Sequence, residues 1–206
     1  MGPFDAVIFD CDGVLADSEP ASVRAWTATV IGLGGHTTEE RIGSFIGKTE
    51  RDLAEHHAPL VGRAADVVEL DARERFLDLV ASEGVSPFPD AVALLEQVIA
   101  SGTPVGVGSN SPRWRLNAVL ASTGLSVEVS VAGDEVDRPK PAPDVYREVA
   151  RRLGVAVERS VVVEDTPTGI AAARAAGARV IAVRRGAVPE SELSGADLVV
   201  DDLGGA

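Results

Sequence analysis

The sequence predicts an α/β fold in which a parallel sheet carries helices on both faces and an all-helical segment follows the first strand. Short apolar runs bounded by turn residues recur along the chain, as expected of strands that are buried on both faces. Stretches with helical spacing separate most of these runs, and strands that alternate with helices form parallel sheets. Between about residue 16 and residue 87 the runs stop, and helical patterns replace them.

Six apolar runs are the predicted strands. They are 6–9, 104–108, 127–131, 161–163, 180–183 and 198–200. A cap residue followed by proline begins a helix, and a glycine ends it, so four helices are predicted in the same part of the chain. These helices are Asp90–Ala100, a helix opened by Ser111-Pro112 and closed by Gly124, Pro143–Leu153 with Tyr146 in its apolar stripe, and a helix opened by Thr166-Pro167 and followed by Gly177.

The segment 16–87 contains helix signals without a convincing strand. Ser18-Glu19-Pro20 starts a helix. Thr37-x-x-Glu40 and Thr49-x-x-Asp52 both have the spacing of a capping box, the second with Asp where Glu or Gln is usual. We therefore expect a Rossmann-like core formed by residues 1–15 and 88–206, and a helical domain formed by residues 16–87.

The composition argues against several classes of protein. Of 206 residues, 32 are acidic and 19 are basic, and the net charge of −13 disfavours non-specific binding to nucleic acid or to an anionic membrane. No apolar run approaches the roughly 18 residues of a membrane span, and no signal peptide is recognised at the start of the sequence. Cys11 is the single cysteine, which fits a reducing compartment and a cytoplasmic location. A small anionic substrate remains compatible with this charge, and the sequence leaves the oligomeric state open.

Three polar clusters directly follow predicted strands. Asp10 and Asp12 follow the first strand, Ser109-Asn110 follows the second, and Glu164-Asp165 follows the fourth. Ligands of an open parallel sheet bind beyond the carboxyl ends of its strands. We therefore expect these clusters, which lie far apart in sequence, to converge at one edge of the sheet.

The residue types in these clusters point to phosphoryl transfer. Gathered carboxylates repel one another, and a hard cation such as Mg²⁺ relieves that repulsion. One carboxylate can attack phosphorus to form an aspartyl-phosphate, while a second carboxyl, two residues on, protonates the leaving oxygen and later activates water. Gly13 allows a close approach of the main chain, Ser109 offers a hydroxyl at a helix start, and Lys140 adds positive charge. Taken singly, each of these residues is also explained as a turn, a helix cap or a solvated loop residue.

Four segments, in order, resemble the motifs of the haloacid dehalogenase-like (HAD) superfamily. They are 9–20 (FDCDGVLADSEP), Ser109-Asn110, 138–144 (RPKPAPD) and 163–173 (VEDTPTGIAAA). The resemblance spans nearly the whole chain. The helical segment 16–87 resembles the cap domain of phosphoglycolate phosphatase, β-phosphoglucomutase and related sugar-phosphate phosphatases.

The resemblance implies a role for each matched residue. It implies Asp10 as the nucleophile and Asp12 as the general acid and base. It also implies Mg²⁺ bound by Asp10, the main-chain carbonyl of Asp12 and Asp165, with Glu164 as a direct or outer-shell ligand. The activity implied is Mg²⁺-dependent hydrolysis of a small phosphorylated metabolite, of the sugar phosphate or phosphoglycolate type. The residues expected to hold the phosphoryl group are Gly13, Ser109, Asn110 and Lys140.

Residues that read the substrate are expected in the helical segment, because a cap closes over the substrate and excludes water. The candidates are Glu19, Lys48 with its neighbours Gly47 and Thr49, and Arg51, although a solvated helix face explains each of them equally well. His56 and His57 are adjacent and diverge on a helix, so we expect surface histidines rather than a metal site. Cys11 is expected to be a buried core residue.

Other reactions and roles remain as alternatives. Carbon–halogen cleavage needs a nucleophilic carboxylate but no metal and no proton for the leaving group, so it gives no role to Asp12, Glu164 and Asp165. Phosphonate cleavage requires a cap lysine that forms a Schiff base, and Lys48 is the single candidate. A sugar phosphomutase is disfavoured because Ser22 and Glu50 stand where β-phosphoglucomutase has a histidine and an arginine. Outside the enzymes, a phospho-switch domain or a phosphate-binding scaffold is the alternative, against which the Asp-x-Asp spacing and the large insert argue.

Overall fold

The structure of the protein is a computed structural model that describes residues 4–45, 48–185 and 189–205. Six strands of the described residues form one parallel sheet. Each strand matches one of the predicted apolar runs, so the predicted parallel sheet is confirmed. The strands are β1 (Ala6–Phe9), β2 (Val105–Gly108), β3 (Val129–Val131), β4 (Ser160–Glu164), β5 (Arg179–Val183) and β6 (Leu198–Val200).

The strands are arranged in the order β3-β2-β1-β4-β5-β6, and all neighbours are parallel. The chain moves outward from β1 to β3 and then returns to the other side of β1 with β4. Ligands of such sheets bind where the order reverses, in the crevice beyond the carboxyl ends of the two central strands. The order therefore places the crevice between β1 and β4, which is not readable from the sequence alone.

Eight α-helices occur in the part of the chain that the structure describes. They are α1 (Glu19–Gly32), α2 (Glu39–Gly43), α3 (Glu50–Val61), α4 (Ala65–Glu83), α5 (Pro89–Ala100), α6 (Arg113–Thr123), α7 (Asp144–Leu153) and α8 (Pro167–Ala176). The four helices predicted after residue 88 correspond to α5–α8. Within the described ranges, no helix is long and apolar enough to cross a membrane.

The chain divides into two compact units. Unit 1 comprises Met1–Asp17 and Ser86–Ala206 and contains the sheet with α5–α8, whereas unit 2 comprises Ser18–Val85 and contains α1–α4. The described residues of unit 2 form no strand. The expected division, after residues 15 and 87, differs from the observed one by two residues at each boundary.

Two helix starts in unit 2 test the capping signals. Thr49 caps α3 as predicted: its hydroxyl accepts from the main-chain N–H of Asp52, whose carboxylate accepts from the N–H of Thr49. The capping box expected at Thr37 is wrong, because α2 begins one residue later. The hydroxyl of Thr38, in extended backbone, accepts from the N–H of Arg41 at 3.2 Å.

The start of α6 also differs from the prediction. Pro112 occupies the cap position, so Ser111 lies before the helix and its hydroxyl is not used as a cap. Ser109 lies still further from the first turn, which corrects its expected place at a helix start. Thr166, in contrast, caps α8 as predicted, because its hydroxyl accepts from the N–H of Gly169 at 3.1 Å.

Each unit has its own apolar core. In unit 1, α7 and α8 pack against one face of the sheet, where Ile8 and Val162 lie. Val105 and Val107 alternate with the glycines of β2 that face α7, so they point to the opposite face, which α5 covers. Fully burying a side chain of this size contributes roughly 1.5–3 kcal/mol. The core of unit 2 is formed by Trp26, Val30, Ile42, Leu53, Ala54, Ala58, Val68 and Ala72.

Candidate active site

The ammonium group of Lys140 contacts two acidic side chains at the edge of the sheet. Asp10 directly follows β1, and Glu164 is the last residue of β4, so both lie where the strand order reverses. The Nζ atom of Lys140 donates to Oδ1 of Asp10 and, at 2.8 Å, to Oε1 of Glu164. All three side chains are buried. The structure therefore brings together three residues that the sequence predicted to meet.

Burial and charge shift the pKa values of these three residues in different directions. Burial raises the pKa of Asp10 well above its usual value; Lys140 opposes this shift and Glu164 adds to it. Burial also acts to raise the pKa of Glu164, but the Lys140 ammonium and the hydrogen-bond donors around the carboxylate hold it below its usual value. Burial disfavours the charged lysine, yet the two acids raise the pKa of Lys140 above its ordinary value. Lys140 therefore remains a cation at neutral pH.

Glu164 accepts hydrogen bonds from donors on both of its oxygens. Its Oε1 accepts from Lys140 and from the hydroxyl of Tyr146, each at 2.8 Å. Its Oε2 accepts from the main-chain N–H groups of Asp165 and Thr166 and from the Thr166 hydroxyl, each at 2.9 Å. Burial raises the pKa of Tyr146 well above its ordinary value, so the phenol stays protonated and able to donate. Glu164 thereby fixes the position of Lys140 beside Asp10.

The carboxylate of Asp12 is held by side chains that follow β2. The hydroxyl of Ser111 donates to Oδ2 of Asp12 at 2.7 Å, and the hydroxyl of Ser109 lies 3.4 Å from the same oxygen. The guanidinium of Arg115, on the first turn of α6, lies 3.6 Å from Oδ1. Arg115 is buried, whereas Asp12 keeps about a fifth of its side chain exposed (21%). Asp12 is therefore both fixed and accessible.

Asn110 is placed against the main chain of Lys140. Its Oδ1 accepts from the Lys140 N–H at 2.7 Å, and its Nδ2 donates to the Lys140 carbonyl at 3.2 Å. These two bonds tie the segment that carries Lys140 to the segment that follows β2. The structure thus shows Asn110 paired with the main chain of Lys140, and its expected role in holding a phosphoryl group stays a prediction.

Two glycines leave space for the consecutive acids Glu164 and Asp165. A Cβ atom at Gly13 would lie 2.1 Å from Oδ2 of Asp165, and Gly13 has a φ of +86°, which side chains rarely adopt. A Cβ atom at Gly169 would lie 1.6 Å from Oε1 of Glu164. Neither acid fits its observed position if these glycines carry a side chain.

Two of the residues expected to bind a metal, Asp10 and Glu164, both contact Lys140 in the structure. Among the described residues, no three His, Cys, Asp or Glu side chains are grouped as a metal site. The two carboxylate oxygens of Glu164 instead accept hydrogen bonds from the five donors described above, which include Lys140 and the start of α8. The structure therefore shows Glu164 as a partner of Lys140, and the expected metal-binding role of these acids stays a prediction.

The donor set nevertheless suits a hard divalent cation. Four carboxylates (Asp10, Asp12, Glu164 and Asp165) lie at this edge with the two cations Lys140 and Arg115, so negative charge is in excess. Carboxylate and carbonyl oxygens are the ligands that such cations prefer.

The candidates for substrate recognition in unit 2 are exposed or half-buried. Glu19 is the half-buried first residue of α1, and Lys48 is exposed just before α3. Arg51 is also exposed and forms ion pairs with Glu55 and Asp66. Gly47 lies outside the described residues. The arrangement of unit 2 alone therefore assigns none of them to a ligand.

Two further sequence expectations have different outcomes. Cys11 is fully buried, and burial raises the pKa of its thiol well above the ordinary value, so the expected core role is confirmed. The expectation of two surface histidines is wrong for His57, which is 1% exposed. Its Nδ1 pairs with the carbonyl of Leu53 at 2.9 Å, and its ring packs near Trp26 and Phe45, because His57 lies on the inner face of α3.

Three side chains of the site are absent from the sequence prediction. In the sequence, Tyr146 is one position of an apolar stripe, and Ser111 fits a helix cap. Arg115 carries no local signal, since nothing in the sequence of α6 distinguishes it from a solvated arginine. The one available clue is that Tyr146 is the single tyrosine of the chain and stands among aliphatic residues.

Comparison with known proteins adds an independent line of evidence. The family model of the haloacid dehalogenase-like hydrolases matches residues 4–177. Hexitol phosphatase A of Escherichia coli is 34% identical over 197 residues, which cover 95% of this chain and 90% of that protein. The plasmid-encoded phosphoglycolate phosphatase of Cupriavidus necator is 34% identical over 210 residues, which cover 98% of this chain and 90% of that protein.

Two more matches show how far the similarity extends. The chloroplastic protein SUPPRESSOR OF QUENCHING 1 of Arabidopsis thaliana is 33% identical over 98% of this chain, but the chain spans only 20% of that protein's length. A crystal structure of CbbY from Rhodobacter sphaeroides in complex with xylulose-(1,5)-bisphosphate superposes with a TM-score of 0.87 at 26% identity, covering 98% of this chain and 95% of CbbY. With the family model matching most of its length, the chain belongs to the haloacid dehalogenase-like hydrolases.

Proposed function

We propose that the protein is a phosphatase that hydrolyses a small phosphorylated metabolite through an aspartyl-phosphate on Asp10, with Mg²⁺ as cofactor. The observation that carries this proposal is the buried contact between Asp10 and Lys140 at the point where the strand order reverses. A buried carboxylate beside a permanent cation is suited to attack an anionic group, because the cation offsets the repulsion between the two negative charges. The names of the relatives, a hexitol phosphatase and a phosphoglycolate phosphatase, support the same activity.

In the first half of the reaction, a carboxylate oxygen of Asp10 attacks phosphorus. The bond from phosphorus to the ester oxygen breaks as the new bond forms, and protonated Asp12 gives its proton to the leaving oxygen. The products are an alcohol and the phosphorylated Asp10. Asp12, now a carboxylate, lies two residues from the nucleophile and is partly exposed, so water can reach it.

In the second half, a water molecule attacks the phosphorus of the aspartyl-phosphate. Asp12 takes a proton from this water, and the bond between phosphorus and the Asp10 oxygen breaks. Inorganic phosphate leaves, and both carboxyl groups return to their starting protonation states. The two steps together consume one water for each ester bond broken.

Other residues of the site hold the phosphoryl group and the cation. Lys140 and Ser109 face the carboxylates and supply a charge and a hydroxyl for the phosphoryl oxygens, while Asn110 keeps Lys140 in place. We assign Mg²⁺ to the carboxylates of Asp10 and Asp165 and the main-chain carbonyl of Asp12. When bound, this ion offsets negative charge on the phosphoryl group and the acids.

The substrate class that we infer is a phosphorylated sugar, sugar alcohol or small organic acid. The relatives named above include a hexitol phosphatase and a phosphoglycolate phosphatase, and the similar crystal structure contains a sugar bisphosphate. Glu19 and Lys48 are the candidates that we retain for reading the rest of the substrate. Arg51 is a weaker candidate because its guanidinium already pairs with acids of unit 2.

The test is a comparison of Asp10→Asn with the wild-type protein. We expect Asp10→Asn to lower Mg²⁺-dependent release of inorganic phosphate from para-nitrophenyl phosphate about 10³-fold or more under conditions where the variant is folded. Asp78→Asn, an exposed acid of α4, is the matched control and should keep full activity. Acid-quenched wild-type protein should carry one phosphoryl group that the Asp10→Asn variant lacks. Full activity of Asp10→Asn would exclude the nucleophile, and full activity in EDTA would exclude the cation.

A further inference from the structure

The segment that connects β2 to α6 directs two side chains at the Asp12 carboxyl. Ser111 donates to Oδ2 at 2.7 Å, and the Arg115 guanidinium lies 3.6 Å from Oδ1. The two contacts therefore fall on different oxygens of one carboxyl group. Ser111 and Arg115 lie about a hundred residues from Asp12 in sequence, so the contact exists only in the assembled sheet.

Ser111 does not cap a helix at this place, and Arg115 is buried close to the Asp12 carboxyl. The position of Ser111 suits a helix cap, but Pro112 is the cap of α6 and Ser111 stands before it. Arg115 is 6% exposed, and a buried guanidinium costs several kcal/mol unless a counter-charge compensates it. Its neighbour on the same turn, Arg113, instead forms exposed hydrogen bonds with Glu135. Asp12 supplies a counter-charge of this kind to the buried guanidinium of Arg115.

We propose that Ser111 and Arg115 are positioning residues that orient the Asp12 carboxyl for proton transfer to and from the oxygen that enters or leaves phosphorus. This inference rests on the proposed function of Asp12 as general acid and base. A proton donor must come within about 2.6–3.2 Å of its acceptor atom, so rotation of the carboxyl about the Cβ–Cγ bond decides whether transfer occurs. One contact on each oxygen restricts that rotation.

The same two contacts serve both protonation states of Asp12. When Asp12 is a carboxylate, the Ser111 hydroxyl donates to it and the guanidinium balances its charge. When Asp12 is protonated, the Ser111 hydroxyl can turn and accept, because a hydroxyl carries both a hydrogen and lone pairs. No proton is gained or lost by Ser111 or Arg115 in the cycle, so they act through Asp12 alone.

The test separates positioning of the acid from general stability by the choice of leaving group. A para-nitrophenolate leaves without protonation, whereas an alkoxide needs a proton from Asp12. The value of kcat/KM reports the transfer of the phosphoryl group to Asp10 in both cases. We therefore compare para-nitrophenyl phosphate with the better of two alkyl phosphates, a hexitol phosphate or phosphoglycolate.

We expect Ser111→Ala to lower kcat/KM for the alkyl phosphate about 10- to 100-fold and for the aryl phosphate less than about 3-fold. Arg115→Gln should act in the same direction, and Ser111→Thr, which keeps the hydroxyl, should restore the wild-type ratio of the two substrates. Arg113→Gln, on the same turn of α6, is the matched control and should leave the ratio unchanged. Because Arg115→Gln removes a buried charge and is expected to be destabilised, Ser111→Ala alone decides the outcome.

Asp12→Asn separates the failure of this inference from the failure of the proposed function. If Asp12→Asn changes the ratio of alkyl to aryl hydrolysis but Ser111→Ala leaves it as in the wild type, the inference is overturned and the function stands. Equal losses on both substrates in Ser111→Ala would show a structural role and would also overturn it. If Asp12→Asn itself leaves the ratio of alkyl to aryl hydrolysis unchanged, Asp12 is not the general acid and base. Both the acid–base role and this inference are then overturned.

Discussion

The two compact units bury polar side chains of different kinds. In the described residues of unit 1, five charged side chains are buried: Asp10, Arg115, Lys140, Glu164 and Asp165. The buried polar side chains described in unit 2 are Ser18, Thr29 and His57, which carry no charge when the histidine is neutral. Burying a charge is costly even when it is paired, and such groups concentrate at functional sites. The difference supports the proposal that unit 1 carries the chemistry, whereas unit 2 is stabilised mainly by apolar packing.

The two units also differ in how far apart their hydrogen-bonded partners lie in sequence. The contact of Lys140 with Asp10 joins residues 130 positions apart, and that of Ser111 with Asp12 joins residues 99 apart. In unit 2 the bond from Thr29 to Asp71 joins residues 42 apart. The charged network of unit 1 therefore requires the complete sheet, whereas the polar contacts of unit 2 require only neighbouring helices.

The largest expected effect is that of Lys140→Ala. Removing the ammonium leaves Asp10 and Glu164 buried without their common counter-charge, which should lower the free energy of unfolding by about 3–5 kcal/mol and abolish phosphatase activity. Chemical unfolding in urea at pH 7 measures the stability change. The chain offers an ideal control in its other lysine, Lys48, which is exposed in unit 2.

Lys48→Ala should leave the unfolding midpoint unchanged within error, because the ammonium of Lys48 is exposed to solvent. A loss of stability as large as that of Lys140→Ala would contradict the contrast between the units. If Lys48 reads the substrate, Lys48→Ala should instead raise the KM for the alkyl phosphate while leaving stability intact.

A smaller effect is expected when one hydroxyl donor is removed from each unit. Tyr146→Phe removes the donor to buried Glu164 and should cost about 1.5–3 kcal/mol, as for a hydrogen bond to a charged group. Thr29→Val removes the donor to Asp71, whose side chain is 28% exposed, and should cost about 0.5–1.5 kcal/mol because water replaces the lost bond. Urea midpoints of the two variants give the comparison. Equal losses of unfolding free energy in the two variants would mean that burial of the acceptor does not strengthen the hydrogen bond.

The smallest effect concerns the pH dependence of stability through His57. Burial lowers the pKa of His57, with smaller contributions from nearby His56 and Arg41. The unfolded chain, with a histidine pKa of about 6.5, therefore binds a proton before the folded chain does. The contribution of neutral His57 to stability is complete above about pH 6.5 and decreases as the pH falls, by at most about 1.4 kcal/mol per pH unit.

This loss should be visible as a lower urea midpoint at pH 5.5 than at pH 7.5. His57→Phe should reduce the difference between the two pH values by more than His56→Gln, which changes an exposed ring. If the urea midpoint of His57→Phe changes between pH 5.5 and pH 7.5 as much as that of the wild type, other groups cause the pH dependence.

The sequence predicts the elements of the fold better than their arrangement. The strands, α3 with its Thr49 cap and α8 with its Thr166 cap follow from local patterns, because propensity and capping act within a few residues. The strand order depends on contacts between distant segments and does not follow from the sequence alone. His57 shows the same limit, since adjacent histidines give no sign of which ring faces the core.

The residues of the candidate site also differ in whether local sequence patterns predict them. Asp10, Asp12 and Asp165 follow strands and stand in motifs, so the sequence alone predicts them as candidates. Tyr146 and Arg115 lie within helices and reach the site only through tertiary packing. Their partners are fixed by distance and burial in the folded chain, which single-sequence patterns do not encode.

The two glycines that adjoin the consecutive acids have a consequence for anyone who transplants this site into another protein. Positions 13 and 165 share one volume, as do 169 and 164, so a larger residue at either glycine demands a shorter one at the acid. We therefore expect these positions to vary as pairs in natural or laboratory evolution. A graft that copied the carboxylates without both glycines would not reproduce the geometry.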